Sequence, residues 1–194
     1  MEYSDLALTL IIALADYSLT CYDGYRLLTT GNAAMAGTCT ACLPGTASMG
    51  GLSCNPCTVG FYANLSASKQ CNQCPKGTIS ITSPAYGGAY GGGGGGATPT
   101  YGGLSSTVNG NNYIYGVSGG TMCNNCPAGY YQPVPGGQVC IPCAPGSLSS
   151  SPGSVSCTLC AKGTASSATA LSTAICATCP PNTYTLNNGS TVCS

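Results

Sequence analysis

The sequence predicts a small disulfide-rich fold, an elongated tandem array of short β-hairpin cysteine-rich repeats with little helix. Three observations predict it. Cys-x-x-Cys doublets recur along the chain, a glycine stands three residues after the second cysteine of most of them, and bulky apolar residues are scarce: one Phe and no Trp against 29 Gly in 194 residues. Such a composition is too thin for an ordinary core. Sixteen cysteines reach the density at which disulfides take over that role, which requires an oxidising compartment. An extracellular or cell-surface location is therefore expected.

The doublets are Cys39/Cys42, Cys54/Cys57, Cys71/Cys74, Cys123/Cys126, Cys140/Cys143, Cys157/Cys160 and Cys176/Cys179, with single cysteines at Cys21 and Cys193. Zinc ribbons also use two doublets for one tetrahedral site, but seven doublets leave one over and strand the singles. A thioredoxin-like motif would occur once, beside a βαβ pattern. Joining each second cysteine to the first of the next doublet uses every cysteine: Cys21–Cys39, Cys42–Cys54, Cys57–Cys71, Cys74–Cys123, Cys126–Cys140, Cys143–Cys157, Cys160–Cys176 and Cys179–Cys193. The serial scheme is the expected one, with a staggered pairing, one doublet's cysteines bridging over a neighbour, left open by the sequence.

Residues 1–20 form an N-terminal arm or a signal peptide. Leu6, Leu8, Leu10, Ile12 and Leu14 alternate with mostly small residues, a period of two that indicates a strand, and the run is too short to span a bilayer. Ala13-Leu14-Ala15 has the form of a signal-peptidase site, yet Glu2 and Asp5 stand where a signal carries bases. Two readings stay open: a cleaved signal, or a retained strand that packs on its own repeats or adds to a neighbouring subunit's sheet edge.

Cysteine-rich repeats follow at 21–80 and 121–194. The recurring glycine (Gly24, Gly45, Gly60, Gly77, Gly129, Gly146, Gly163) is replaced by Asn182 in the eighth repeat. Asn is the usual substitute at positive φ, so a tight left-handed turn is expected there. Phe61-Tyr62 and Tyr130-Tyr131 after it suit short strands. Each repeat should contact mainly its neighbours.

Between Cys74 and Cys123 the spacing swells to forty-eight residues. Residues 81–120 are read as a Gly/Tyr-rich insertion holding the Gly91–Gly96 run, an Asn109-Gly110 turn signal and the strand-like Tyr113-Ile-Tyr-Gly-Val117. Either a lateral contact or a surface insertion fits this composition.

Charge excludes several functions. All four acids (Glu2, Asp5, Asp16, Asp23) lie at the N-terminus, the bases are Arg26, Lys69, Lys76 and Lys162, and there is no histidine. The repeats thus lack general bases, the Ser-His arrangement and carboxylate cages. No enzyme, no cofactor and no metal are expected. Four scattered bases do not neutralise a phosphate backbone, so nucleic acid is not a partner. A surface this poor in charge needs covering, by copies of the same chain or by glycans. N-linked sites are Asn64 (Asn64-Leu-Ser66) and Asn188 (Asn188-Gly-Ser190), and the many Ser and Thr offer O-linked positions.

Cys71-Asn-Gln-Cys-Pro-Lys-Gly-Thr78 and Cys123-Asn-Asn-Cys-Pro-Ala-Gly-Tyr130 resemble the ephrin-receptor-like cysteine-rich repeat. The resemblance covers residues 21–80 and 120–194. It implies an extracellular cysteine-rich array of the kind found in ciliate immobilization antigens and algal mastigoneme proteins, although the chain shows no C-terminal hydrophobic tail of the antigen type. The expected function is a structural subunit of an extracellular filament or surface appendage, self-assembling through the N-terminal arm and repeat surfaces. The alternative is a monomeric surface antigen or receptor-type ligand-binding module.

Overall fold

The computed structural model describes residues 20–28, 37–82, 113–173 and 175–194. The arm residues Leu6, Leu8, Leu10, Ile12 and Leu14, the Asn109-Gly110 turn and the Gly91–Gly96 run lie outside them. Among the described residues there are fifteen short strands and no helix. A repeat runs from the second cysteine of one doublet to the first of the next, and each is closed by its own disulfide, from Cys21–Cys39 in the first to Cys179–Cys193 in the eighth.

One local rule builds every hairpin. The residues after the turn glycine pair antiparallel with the two residues inside the next doublet. Thus β1 (Tyr25–Leu28) pairs with β2 (Thr38–Ala41), β3 (Thr46–Ala47) with β4 (Asn55–Pro56), and β5 (Phe61–Tyr62) with β6 (Asn72–Gln73). In the fourth repeat β7 (Thr78–Ile81) pairs with β9 (Met122–Asn125). Farther along, β10 (Tyr130–Tyr131) meets β11 (Val139–Pro142), β12 (Ser147–Leu148) meets β13 (Thr158–Leu159), and β14 (Thr164–Ala165) meets β15 (Ala177–Thr178). Two-residue strands have little stability alone, so they depend on what ties them together.

The ties run between repeats and are mostly main chain. Each turn glycine donates its N–H to the residue three past the turn position of the next repeat: Gly45 to the Ala63 carbonyl at 2.7 Å, Gly129 to Ser149 at 2.7 Å, Gly146 to Ser166 at 2.7 Å. Its carbonyl accepts the N–H of the following doublet's second cysteine, as Gly129 does from Cys143 at 2.8 Å. Two repeats use side-chain oxygens for the same purpose: Gly60 donates to Ser80 Oγ and Gly163 to Thr185 Oγ1. The receiving position is a column of small or polar residues, buried except at the half-buried Ser166, in which Ser48 Oγ has no partner among the described residues.

A second left-handed residue completes the joint. Ala67, Gly119, Gly136, Gly153, Ala170 and Gly189 all have positive φ, and each donates its N–H to the carbonyl of the preceding repeat's first cysteine, Cys42, Cys57, Cys74, Cys126, Cys143 and Cys160 in turn, at 2.7–2.8 Å. The carbonyls of the same six residues press against the turn glycine one repeat farther back, so that a Cβ on Gly129 would collide with the Ala170 oxygen. Every repeat is therefore fixed to the next by hydrogen bonds and to the one after by close packing.

Sulfur fills the centre. The cysteines that open repeats two to seven are no more than 1 % exposed. Branched aliphatic residues gather at two points, where Ile79 packs with Cys126, Cys140, Ile114 and Tyr130, and where Leu148 packs with Cys160, Cys176 and Leu171. The first cluster coincides with the enlarged fourth repeat. There Ile81 still belongs to β7, and residues 113–120 already belong to the repeat framework: β8 (Ile114–Tyr115) pairs with β11, and Val117 N–H donates to the Ser80 carbonyl at 2.9 Å. The extra residues accordingly fall between Thr82 and Tyr113.

The joint makes a sharp comparison. At Gly129 (φ 88°) and Gly163 (φ 80°) an alanine meets the same left-handed penalty, roughly 1–2 kcal/mol. A Cβ at Gly163 has nothing within 4 Å, whereas at Gly129 it must also displace the neighbouring backbone, costing about 1–3 kcal/mol more. Gly129→Ala is expected to lower the denaturant midpoint of the non-reduced protein clearly more than Gly163→Ala; equal effects would contradict the joint.

Candidate functional surface

With main-chain groups consumed by the joints, what remains on the outside is unusual in its charge. Asp23 is the one side-chain carboxylate among the described residues, and it accepts the Gly50 N–H at 2.8 Å. Arg26, Lys69, Lys76 and Lys162 are exposed and have no carboxylate partner among the described residues. Against these five charged side chains stand fifteen exposed large apolar residues, including Leu43 at 63 %, Met49 at 77 %, Ile175 at 73 % and Leu186 at 69 %. Isolated apolar residues on a surface are ordinary; this proportion to charge is not.

Asn64 and Asn188 are both exposed, the first just after β5 and the second in the last loop, where Ser190 Oγ donates to the Asn187 carbonyl. Among the described residues no group of three or more His, Cys, Asp or Glu could hold a metal ion, and no helix is long and apolar enough to cross a membrane. Tyr184, Leu186, Val192 and Ser190 line an open depression in the eighth repeat. It brings no titratable pair together.

In five of the seven doublets the first cysteine lies nearer the surface than the second; the exceptions are Cys140/Cys143 and Cys176/Cys179. Cys39 is exposed and Cys54, Cys71, Cys123 and Cys157 are half-buried, while Cys140 is 0 % exposed because β8 lies along the edge of its strand. Cys176, at 3 %, is covered by Leu171. The doublet strand thus has an outer edge that can be capped. Inspection of the sequence missed this edge, and it missed the second left-handed residue. A signal for the latter exists: Ala67, Gly136, Gly153, Ala170 and Gly189 each follow the turn position (Gly60, Gly129, Gly146, Gly163, Asn182) by seven residues.

Residues 45–86 and 113–160 match the family model described as tyrosine-protein kinase ephrin type A/B receptor-like. These two segments are similar to ephrin-receptor-like cysteine-rich repeats. The two matched segments contain the turn glycines Gly45, Gly60, Gly77, Gly129 and Gly146 and both ends of the enlarged fourth repeat. No curated protein matches the chain. Eight disulfides, the ephrin-receptor-like match and the lack of a spanning helix among the described residues fit an extracellular location.

The burial of Tyr130 displaces its titration. Its phenol packs into the Ile79 cluster, and burial raises its pKa above the ordinary value of 10.0 by penalising the phenolate. The unfolded phenol ionises first as pH rises, so the contribution of Tyr130 to stability is intact below pH 10 and is lost as pH climbs through the folded value. Ultraviolet titration of the non-reduced protein should show a late-ionising phenol that disappears in Tyr130→Phe. An unchanged late phase in the variant would refute the assignment.

Proposed function

We propose that the protein is a structural subunit of an extracellular filament or cell-surface appendage, self-assembling through its N-terminal arm and repeat surfaces. The observation that carries this reading is the exposed surface: fifteen large apolar residues against five charged ones among the described residues. A dispersed chain with so few charges tends to associate. A framework held by main-chain bonds and disulfides leaves the side chains outside it available for contacts with identical copies. The arm supports the same reading, since its period-two apolar pattern suits strand addition to another sheet, as does the resemblance to mastigoneme proteins. N-linked glycans at the exposed Asn64 and Asn188, with O-linked sugars on Ser and Thr, would cover the remainder. The subunit is non-catalytic and needs no cofactor.

The ephrin-receptor-like match favours a second reading, a monomeric surface antigen or receptor-type binding module. Receptor faces concentrate aromatic and Arg anchors, and here Arg26 is the only arginine.

Electron microscopy of native non-reduced material, with peptide mass spectrometry on the same sample, separates the two. Long uniform fibres that contain the Glu2 to Ala15 peptide are expected, with glycan mass on the peptides of Asn64 and Asn188. Dispersed rods beginning at Asp16 would overturn the filament reading.

A further inference from the structure

The fold carries its own example of strand addition. Residues 114–115 leave the enlarged repeat, lie antiparallel along the outer edge of β11 with Val139 opposite Tyr115 and Cys140 opposite Ile114, and turn a two-stranded hairpin into the order β10-β11-β8. Gly116 N–H extends the pairing to the Gln138 carbonyl at 2.8 Å. The added strand brings an apolar side chain, Ile114, over the disulfide and leaves Cys140 fully buried.

Three doublet strands are long enough for such a partner, since β2, β9 and β11 have four residues each and the rest have two. The edge of β11 is taken by β8. By main-chain bonding β2 and β9 are both open, since among the described residues neither 38–41 nor 122–125 bonds outside its own hairpin; β2 is the barer of the two, because Cys123 of β9 is half-buried whereas Cys39 of β2 is exposed. Within the repeat Cys39 occupies the place of Cys140, yet it is exposed. Nearby, Tyr22 is 51 % and Leu28 39 % exposed, and Arg26, opposite Thr40, lacks a carboxylate partner among the described residues.

We infer that the outer edge of β2 is the acceptor for the N-terminal arm of a second copy of this chain, residues 6–14 adding antiparallel as β8 adds to β11. This rests on the proposed self-assembly and names its contact. The arm has what the edge lacks. Its large residues recur every second position, so one face of a strand laid on β2 would cover the Cys21–Cys39 disulfide as Ile114 covers its counterpart. Three of the chain's four side-chain carboxylates, Glu2, Asp5 and Asp16, flank that run and bring negative charge to the ends of a strand laid near Arg26. A neighbour's edge suits the arm better than its own. Residues 15–20 join the arm to Cys21, which is disulfide-bonded to Cys39 with Cα atoms 5.7 Å apart, so an arm on its own β2 would have to reverse within that tether. Donor and acceptor then sit at the same end of the chain. Successive first repeats form the axis of an open assembly, and the remaining repeats project from it.

The test is a photocrosslink. p-Benzoylphenylalanine in place of Leu10 is introduced into the full chain, copies with ordinary and heavy nitrogen are mixed before assembly, and crosslinked peptides are identified after irradiation. Crosslinks between light and heavy chains, from residue 10 to residues 25–28 or 38–41, are expected. In a second variant, Arg26→Glu should raise the concentration needed for assembly about fivefold, the size of one exposed ion pair, with the disulfides unchanged. Intermolecular crosslinks to other repeats would overturn the β2 acceptor while leaving arm-driven assembly standing. Discrete dimers crosslinked at 38–41 would support the acceptor and overturn the filament. Crosslinks confined to single chains, or a monomeric protein, would overturn both.

Discussion

The structure depends on one backbone position, the left-handed residue three places after each repeat's first cysteine. At Gly129 it closes the turn, gives its N–H to Ser149, takes the N–H of Cys143, and presents a bare Cα to the carbonyl of Ala170. Three repeats meet there. A side chain would obstruct the last of these contacts, and φ near 88° already disfavours any residue but glycine. Asn182 fills the equivalent place in the eighth repeat at φ 66°, where the backbone still needs the left-handed turn.

From that constraint the rest follows with little help from side chains. Each main-chain bond contributes on the order of 1 kcal/mol, so no single one holds the array, but the same three or four bonds recur at every joint. Disulfides limit the unfolded chain and supply the buried volume that Leu and Phe give other folds. The side chains hung on this framework are consequently free to vary: Tyr, Phe, Thr and Ser all follow the turn glycine. Where the hydroxyl residues stand there, they add a bond to the turn's first carbonyl, as Thr46 does to Leu43 at 2.7 Å. A framework so indifferent to its surface suits a protein whose proposed role lies in contacts between copies rather than in a chemical site.

Much of this was legible in the sequence because the repeat is written in residues with one physical meaning. Cysteine spacing gave the unit, and the Gly-to-Asn182 exchange gave the sign of φ. The second left-handed position was not seen, since two of its six occupants, Ala67 and Ala170, are not glycine and announce nothing about φ. The strand Ile114–Tyr115 was read from its β-forming residues, but its partner β11 lies a whole repeat away and no local signal names it. Nor could spacing reveal that doublet strands have an outer edge, since exposure of Cys39 against burial of Cys140 is a property of what lies alongside them.

The central claim is that repeats are joined through the main chain at the turn position. Amide hydrogen exchange of the non-reduced protein, resolved by residue, tests it directly. The account predicts slow exchange at Gly45, Gly77, Gly129 and Gly146, whose N–H groups are bonded to the next repeat, and fast exchange at Asn182. Turn amides that all exchange as quickly as Asn182 would contradict it, leaving eight disulfide-closed loops strung on a chain without joints.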